Sequence, residues 1–411
     1  MKKWRLAALT AMAAMALAAC GGSSEETTAA ATEAAETEAA AEADTEAAAE
    51  ETEAAEGAVW TFGGTGPLTG TTAIYGTAVM NGAQIAVDEI NAAGGINGYQ
   101  VNWIFEDDEA GTETAVNAYN ALKDQGMQVM IGTTTSGSCM AVIAETETDN
   151  MFQITPSGTT ADITIPANVY RMCFSDPAQG TKSAEFIATH ELATKIGVIY
   201  DSSDTYSTGI YENFAAEAQN RGLEVVAVES FTSENKTDFR TQLQKIQDAG
   251  AELVFLPFYY TEASLVLRQA DEMGFDPLFF GCDGMDGILT LPDFDTSLAE
   301  GLMLLTPFAA DATDDLTVSF VTQYQEQFGE VPNQFAADAY DGVYVLKQAI
   351  ELAGATPDMS VSDLCDAIVA QMGNVSYDGL TGAGIQFTED GEPNKDPKAV
   401  VIENGAYVLM D

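Results

Sequence analysis

Three loops concentrate small hydroxyl residues, glycines and one acid. Gly132-Thr133-Thr134-Thr135-Ser136-Gly137-Ser138 follows a short apolar run. Such a loop leaves backbone N–H groups free at the start of the next helix, where the helix dipole favours an anion. Ile154-Thr155-Pro156-Ser157-Gly158-Thr159-Thr160 supplies the same materials a second time. Neither loop contains Lys or Arg, so together they suit one carboxylate held by hydroxyls and amides. Gly281-Cys282-Asp283-Gly284 places an acid between glycines, where it could meet an ammonium. Tyr75, Tyr206, Tyr259, Tyr260 and Phe335 also fall near strand ends or helix starts. The same residues read equally as helix N-caps, solvated turns and packing aromatics. Pattern alone leaves both readings open.

Other chemistries fit poorly. Gly64-Thr65-Gly66-Pro67-Leu68-Thr69-Gly70 looks like a dinucleotide fingerprint, with Glu106 as its ribose-binding acid. Pro67 and Gly70 sit where the phosphate-binding helix should already run. Glu106 lies far beyond the ~20-residue offset of such an acid. Glu106-Asp107-Asp108-Glu109 lacks the spaced oxygen ligands, Gly and final Glu of a calcium loop. The single His, His190, has no nucleophile motif around it, and no Cys pair has zinc-ligand spacing. No catalytic residue, metal site or cofactor is assigned.

These loops need strands and helices to hold them. Residues 59–63, 101–105, 128–131 and 151–154 read as strands. Residues 76–93, 112–125 and 138–148 read as helices between them, the first with an apolar stripe of Val79, Ala83, Ala86, Val87 and Ile90. Gly94-Gly95 ends that first helix. The alternation resumes with helices at 182–194, 208–221, 238–248 and 262–273. Strands are expected at 196–200, 224–228, 253–257 and 278–281. Repeated strand–helix units imply parallel sheets covered by helices, here as two α/β lobes. Ligands in such folds sit beyond the carboxyl ends of the strands, where the three loops lie.

The N-terminus adds an address. Lys2, Lys3 and Arg5 precede an apolar run from Leu6 to Ala19, an export signal too short to span a bilayer. Residues 20–56 follow, with neither base nor aromatic. This Ala/Glu/Thr tether cannot bury a core, and as a flexible coil it would span ~30–36 Å. The 411-residue chain carries 64 acids against 15 bases, a net charge of -49. Twelve acids lie in the tether and three bases in the leader, so the rest carries about -40. Such a surface repels phosphate backbones and argues against nucleic acid. Hydrophobic content of 46% fits a soluble globular protein. Cys139, Cys173, Cys282 and Cys365 are too sparse for a disulfide scaffold and read as buried thiols.

Leu17-Ala18-Ala19-Cys20 resembles the bacterial lipoprotein box, which implies a lipid on Cys20 as the first mature residue. A wider resemblance covers nearly all of residues 58–411. Gly66-Pro67-Leu68-Thr69-Gly70, Tyr75-Gly76, Asn81-Gly82-Ala83, residues 88–98 and Glu106-Asp107-Asp108 look like the opening of the leucine/isoleucine/valine-binding proteins. So do Ile154-Thr155-Pro156-Ser157-Gly158-Thr159, Leu267-Arg268-Gln269-Ala270, Gly281-Cys282-Asp283-Gly284 and Ala339-Tyr340-Asp341-Gly342. The resemblance implies the type I periplasmic binding protein fold, two doubly wound parallel-sheet lobes joined by a three-segment hinge. Lobe 1 is then 57–176 plus 307–383, and lobe 2 is 177–306 plus 384–411. It implies a monomeric, lipid-anchored receptor outside the cell membrane that hands an amino acid to an ABC permease and its ATPase. The alternatives are an amide, aromatic acid or short peptide as ligand, or a sensing role. By position, Ser136 and Thr159 would bind the α-carboxylate, with Gly158 in the same loop. Ser157 and Thr159 would help accept the ammonium, and Asp283 would supply its carboxylate partner. Tyr75, Thr134, Tyr206, Tyr259 and Phe335 would wall the side-chain pocket. Asp283 stands where the branched-chain binders usually have Glu, and Thr134 where an apolar residue is common. The family's first-lobe disulfide is absent.

Overall fold

The computed structural model describes residues 57–410. The leader (1–19), Cys20 and the tether (20–56) lie outside the described residues. Lobe 1 opens with β1 (Trp60–Gly66), α1 (Ala73–Ala92), β2 (Val101–Asp107) and α2 (Thr112–Asp124). It continues with β3 (Val129–Ile131), α3 (Ser136–Asp149), β4 (Gln153–Thr155) and β5 (Val169–Arg171). The strands form one parallel sheet in the order β2-β1-β3-β4-β5. Trp60, Phe62, Val129, Ile131 and Phe152 build its core. The first helix ends where Gly94 and Gly95 take φ of 110° and 85°, which glycine adopts without a Cβ clash.

The chain then crosses to lobe 2. This holds α4 (Asp176–Thr189), β6 (Lys195–Asp201), α5 (Thr205–Arg221), β7 (Glu224–Phe231) and α6 (Arg240–Asp248). It goes on through β8 (Leu253–Leu256), α7 (Tyr260–Met273), β9 (Leu278–Gly281) and β10 (Met303–Thr306). A second crossing returns α8 (Asp315–Phe328), α9 (Gln334–Ala353) and α10 (Val361–Met372) to lobe 1. There α9 lies close against α1, and a Cβ added at Gly82 would sit 2.1 Å from the Ala336 carbonyl oxygen. A third crossing ends in β11 (Lys398–Glu403) and β12 (Ala406–Leu409). The second sheet runs β12-β11-β10-β9-β8-β6-β7.

Four departures from the sequence reading matter most. The helix expected at 182–194 runs Asp176–Thr189, because extended Ser175 and Pro177 start it early, and Glu191 at φ 53° lies beyond its end. The helix expected at 138–148 begins at Ser136, which brings that serine into its first turn. The second sheet is not wholly parallel: β10, β11 and β12 pair antiparallel at one edge. Finally, Ile385 bridges to Tyr377, and the Gly391 carbonyl accepts from the Arg171 N–H. These contacts keep 384–394 on lobe 1, so the last crossing falls near 395–397 rather than at 384.

Candidate functional site

In each sheet the strand order reverses once, between β1 and β3 and between β6 and β8. Loops at such a reversal diverge and open a crevice. The two crevices face each other across a cavity of about 240 Å³. Tyr75, Thr134, Thr135, Ser136, Ser157 and Phe335 line it from lobe 1, and Tyr206, Tyr259, Asp283 and Gly284 from lobe 2. A larger, mostly apolar and more open space of about 1440 Å³ lies between Ile74, Leu289, Val331 and Tyr407, outside the three loops.

On the lobe 1 side the two hydroxyl loops are stitched together. Ser136 Oγ accepts from the Thr159 N–H at 3.0 Å and the Thr160 N–H at 3.3 Å. It also lies 3.1 Å from Thr159 Oγ1. Ser157 Oγ donates to the Thr134 carbonyl at 2.6 Å, and Thr155 Oγ1 donates to the Thr133 carbonyl at 2.7 Å. Thr134 Oγ1 donates to the Thr65 carbonyl at 3.2 Å, which turns that hydroxyl away from the cavity. Gly158 and Thr159 are buried behind the cavity wall and do not line it; the Thr159 N–H binds Ser136 Oγ, and the Gly158 N–H donates to Thr155 Oγ1.

Arg171, fully buried at the end of β5, holds this ledge from behind. Its guanidinium donates to the carbonyls of Gly158, Thr160 and Ala161 at 3.0–3.2 Å and pairs with Glu392 at 3.0 Å. The fixed carbonyls leave their amides turned the other way. The sequence reading missed Arg171 because its three-residue strand was not recognised. The one available signal was a lone Arg in the apolar run Val169 to Phe174.

On the lobe 2 side Asp283 is 4% exposed, in a 3-10 turn after β9. Its Oδ1 accepts from the Tyr206 O–H at 2.6 Å and from the Gly284 N–H at 2.8 Å. Gln179 Oε1 accepts from the Asp283 N–H, and Gln334 Nε2 donates to the Asp283 carbonyl. Burial pushes the carboxyl up to about 6, against the pull of the Tyr206 bond. None of the salt bridges among the described residues involves Asp283. Tyr206 stacks on Tyr259 with ring centroids 4.9 Å apart. Tyr75 packs on Phe335 at 4.5 Å, and its O–H donates across the cleft to the Gly284 carbonyl at 2.5 Å. The lobes are therefore closed on one another.

The structure thus brings Tyr75, Thr134, Ser136, Ser157, Tyr206, Tyr259, Asp283 and Phe335 to one cavity. Cys139, Cys173, Cys282 and Cys365 are buried and unpaired. Among the described residues no group of acids, His or Cys could hold a metal, and no helix is long and apolar enough to cross a membrane. His190 is remote from the cleft chemistry, stacked on Phe186 at 3.9 Å.

Two α/β lobes closing on a small cavity lined by aromatic rings, hydroxyls and one acid define a solute-binding protein. Residues 59–406 match the family model described as periplasmic binding protein, and the chain belongs to that family. It is 31% identical over 300 residues to a Leu/Ile/Val-binding protein homolog of Brucella melitensis, covering 72% of this chain and 80% of the relative. Among solved structures it resembles the leucine-binding protein LivK of Thermotoga maritima, at 26% identity and TM-score 0.76 over 86% of this chain and 98% of that one. It also resembles the branched-chain amino acid transporter protein LivJ of Streptococcus pneumoniae, solved with isoleucine. That match has 27% identity and TM-score 0.76 over 86% of this chain and all of that one. The family binds solutes and is not enzymatic, and the α/β two-lobe architecture expected from the sequence is the one present.

Proposed function

We propose that this protein captures an α-amino acid outside the cytoplasm and delivers it to an ABC importer. One observation carries the reading. A buried, cation-free Asp283 on lobe 2 faces an uncharged ledge of hydroxyls and amides on lobe 1. That is the complement of a zwitterion. Ser136, backed by Thr159 and Gly158, would take the carboxylate. Asp283, with Ser157 beside it, would take the ammonium in a charge-assisted bond. Tyr75, Thr134, Tyr206, Tyr259 and Phe335 would surround the side chain. Contacts to both lobes then favour the closed state, which the permease would read. The names of the relatives support the same ligand class.

An aromatic acid would suit the four rings but leave Asp283 buried and unpaired, a costly arrangement. An amide or short peptide lacks the matched pair of charges at one carbon. The lipid on Cys20, the tether and the monomeric state belong to the same proposal and rest on the sequence pattern. A thermal-shift screen against the twenty amino acids, simple amides and aromatic acids tests the ligand class, since a ligand of the folded state raises its melting point. Response to an aromatic acid and to no amino acid would replace the reading. Detergent phase partitioning of wild type and Cys20→Ala tests the anchor: only the wild type should enter the detergent phase.

A further inference from the structure

Asp283 sits on a short turn that both lobes hold. From its own lobe, Gln179 Oε1 accepts from the Asp283 N–H at 3.1 Å, and the Tyr206 O–H donates to Asp283 Oδ1 at 2.6 Å. The turn also closes on itself. The Met285 N–H donates to the Cys282 carbonyl and the Asp286 N–H to the Asp283 carbonyl, both at 2.9 Å. The chain leaves it through Gly287 at φ 102°, a conformation that glycine takes freely.

Three hydrogen bonds from lobe 1 land on the same turn. The Tyr75 O–H donates to the Gly284 carbonyl at 2.5 Å. Gln334 Nε2 donates to the Asp283 carbonyl at 3.0 Å, and the Gln334 N–H donates to Asp286 Oδ2 at 2.9 Å. Gln334 can grip the turn at both ends because it is the first residue of α9. The first N–H groups of a helix have no partner within it. Asn333 caps this helix by accepting from the Ala336 N–H at 3.3 Å, which leaves the Gln334 N–H for Asp286. Gln334, Asp283 and Asp286 are 2%, 4% and 5% exposed, so these bonds are shielded from water.

Tyr75 lines the cavity, whereas Gln334 does not and can reach the ligand only through the turn. We propose that Gln334 is the positioning residue of the ammonium subsite, gripping the Asp283 turn across the cleft so that closure itself aims the Asp283 carboxylate at the ligand nitrogen. This rests on the amino-acid reading of the cleft. The bonds from Gln179 and Tyr206 lie within lobe 2 and persist when the lobes part. Those from Gln334 form only when the lobes meet. The ammonium subsite is thus completed last, and a ligand with the nitrogen gains more from closure than one without it.

Gln334→Met keeps the side-chain length and the backbone N–H on Asp286 but cannot donate to the Asp283 carbonyl. Calorimetry reads its effect on the tightest binder of the twenty L-amino acids and on the des-amino analogue of that ligand. Loss of one hydrogen bond from the closed state should weaken both ligands about threefold. The misaimed carboxylate should cost the amino acid about a further tenfold, because its bond to the ammonium is charge-assisted. A purely structural role would move both ligands alike. Gln334→Asn, an amide one methylene too short for the carbonyl, should give the same split, and it decides the matter should the methionine variant not fold. Equal losses for the two ligands, or no loss for the amino acid, overturn the assignment of Gln334 and leave the cleft reading standing. Binding of no amino acid by wild type removes that reading and this inference with it.

Discussion

Replacing Asp283 by Asn should make the protein more stable and a worse receptor at once. The carboxyl is buried among Tyr206, Gly284 and Gln179, and its shift from 3.8 to about 6 disfavours the ligand-free fold at neutral pH by about 3 kcal/mol. Asparagine keeps an oxygen for the Tyr206 O–H and the Gly284 N–H but carries no charge to desolvate. The ligand-free variant should therefore melt higher than wild type. With ligand present the sign reverses. The ammonium loses its buried anionic partner, a loss of about 2–5 kcal/mol, or roughly 30-fold to several-thousand-fold in Kd. Calorimetry with the tightest amino acid and with its des-amino analogue separates this from a general disturbance. The two proteins should bind the des-amino compound with similar affinity, because the coupling lies between Asp283 and the nitrogen. A lowered melting temperature, or an equal loss for both ligands, would refute the reasoning.

Other perturbations have equally definite outcomes. Arg171→Met removes the charged donor from three loop carbonyls and from Glu392; it should cost about 3 kcal/mol of stability by denaturant titration and weaken ligand binding as the ledge loosens. Between pH 8 and 6 the ligand-free protein should gain stability as pH falls. Asp176 sits near 8 and Asp108, Asp204, Asp283 and Asp286 near 6, all above their unfolded values, so the native state binds more protons throughout that window. A melting temperature that falls over the same interval would contradict this. Gly82→Ala forces a Cβ against the Ala336 carbonyl; it should destabilise by at least about 1–3 kcal/mol without changing the ligand preference of the folded fraction.

The parts readable from the chain are those whose cause is local. A strand followed by Gly, Ser and Thr announces its own loop, which is why 132–138, 154–160 and 281–284 could be singled out. The apolar stripe at helical spacing gave α1 nearly to its ends. What escaped depends on partners distant in sequence. Arg171 is explained only by carbonyls ten or more residues before it and by Glu392. Gln179 and Gln334 matter because they hold the backbone of a turn about a hundred and fifty residues apart from one to the other, through contacts no window of sequence contains. The sequence reading gave Asp176 no role beyond marking the end of the first segment of lobe 1. Its burial comes from packing between α4 and α5, and only the structure shows that its oxygens lack partners.

The three crossings have a consequence for how the molecule is made. Lobe 1 begins with β1 near residue 60, yet the helix that covers α1 is not reached until residue 334. Lobe 2 begins at residue 176 and leaves the edge of β10 unpaired until β11 arrives at residue 398. Neither lobe can complete its core while the chain is still growing. Native contacts this far apart in sequence form slowly, and a half-made chain displays an open sheet edge and an uncovered helix face. Release of the whole chain, rather than emergence of either half, is the event from which folding of this receptor can finish.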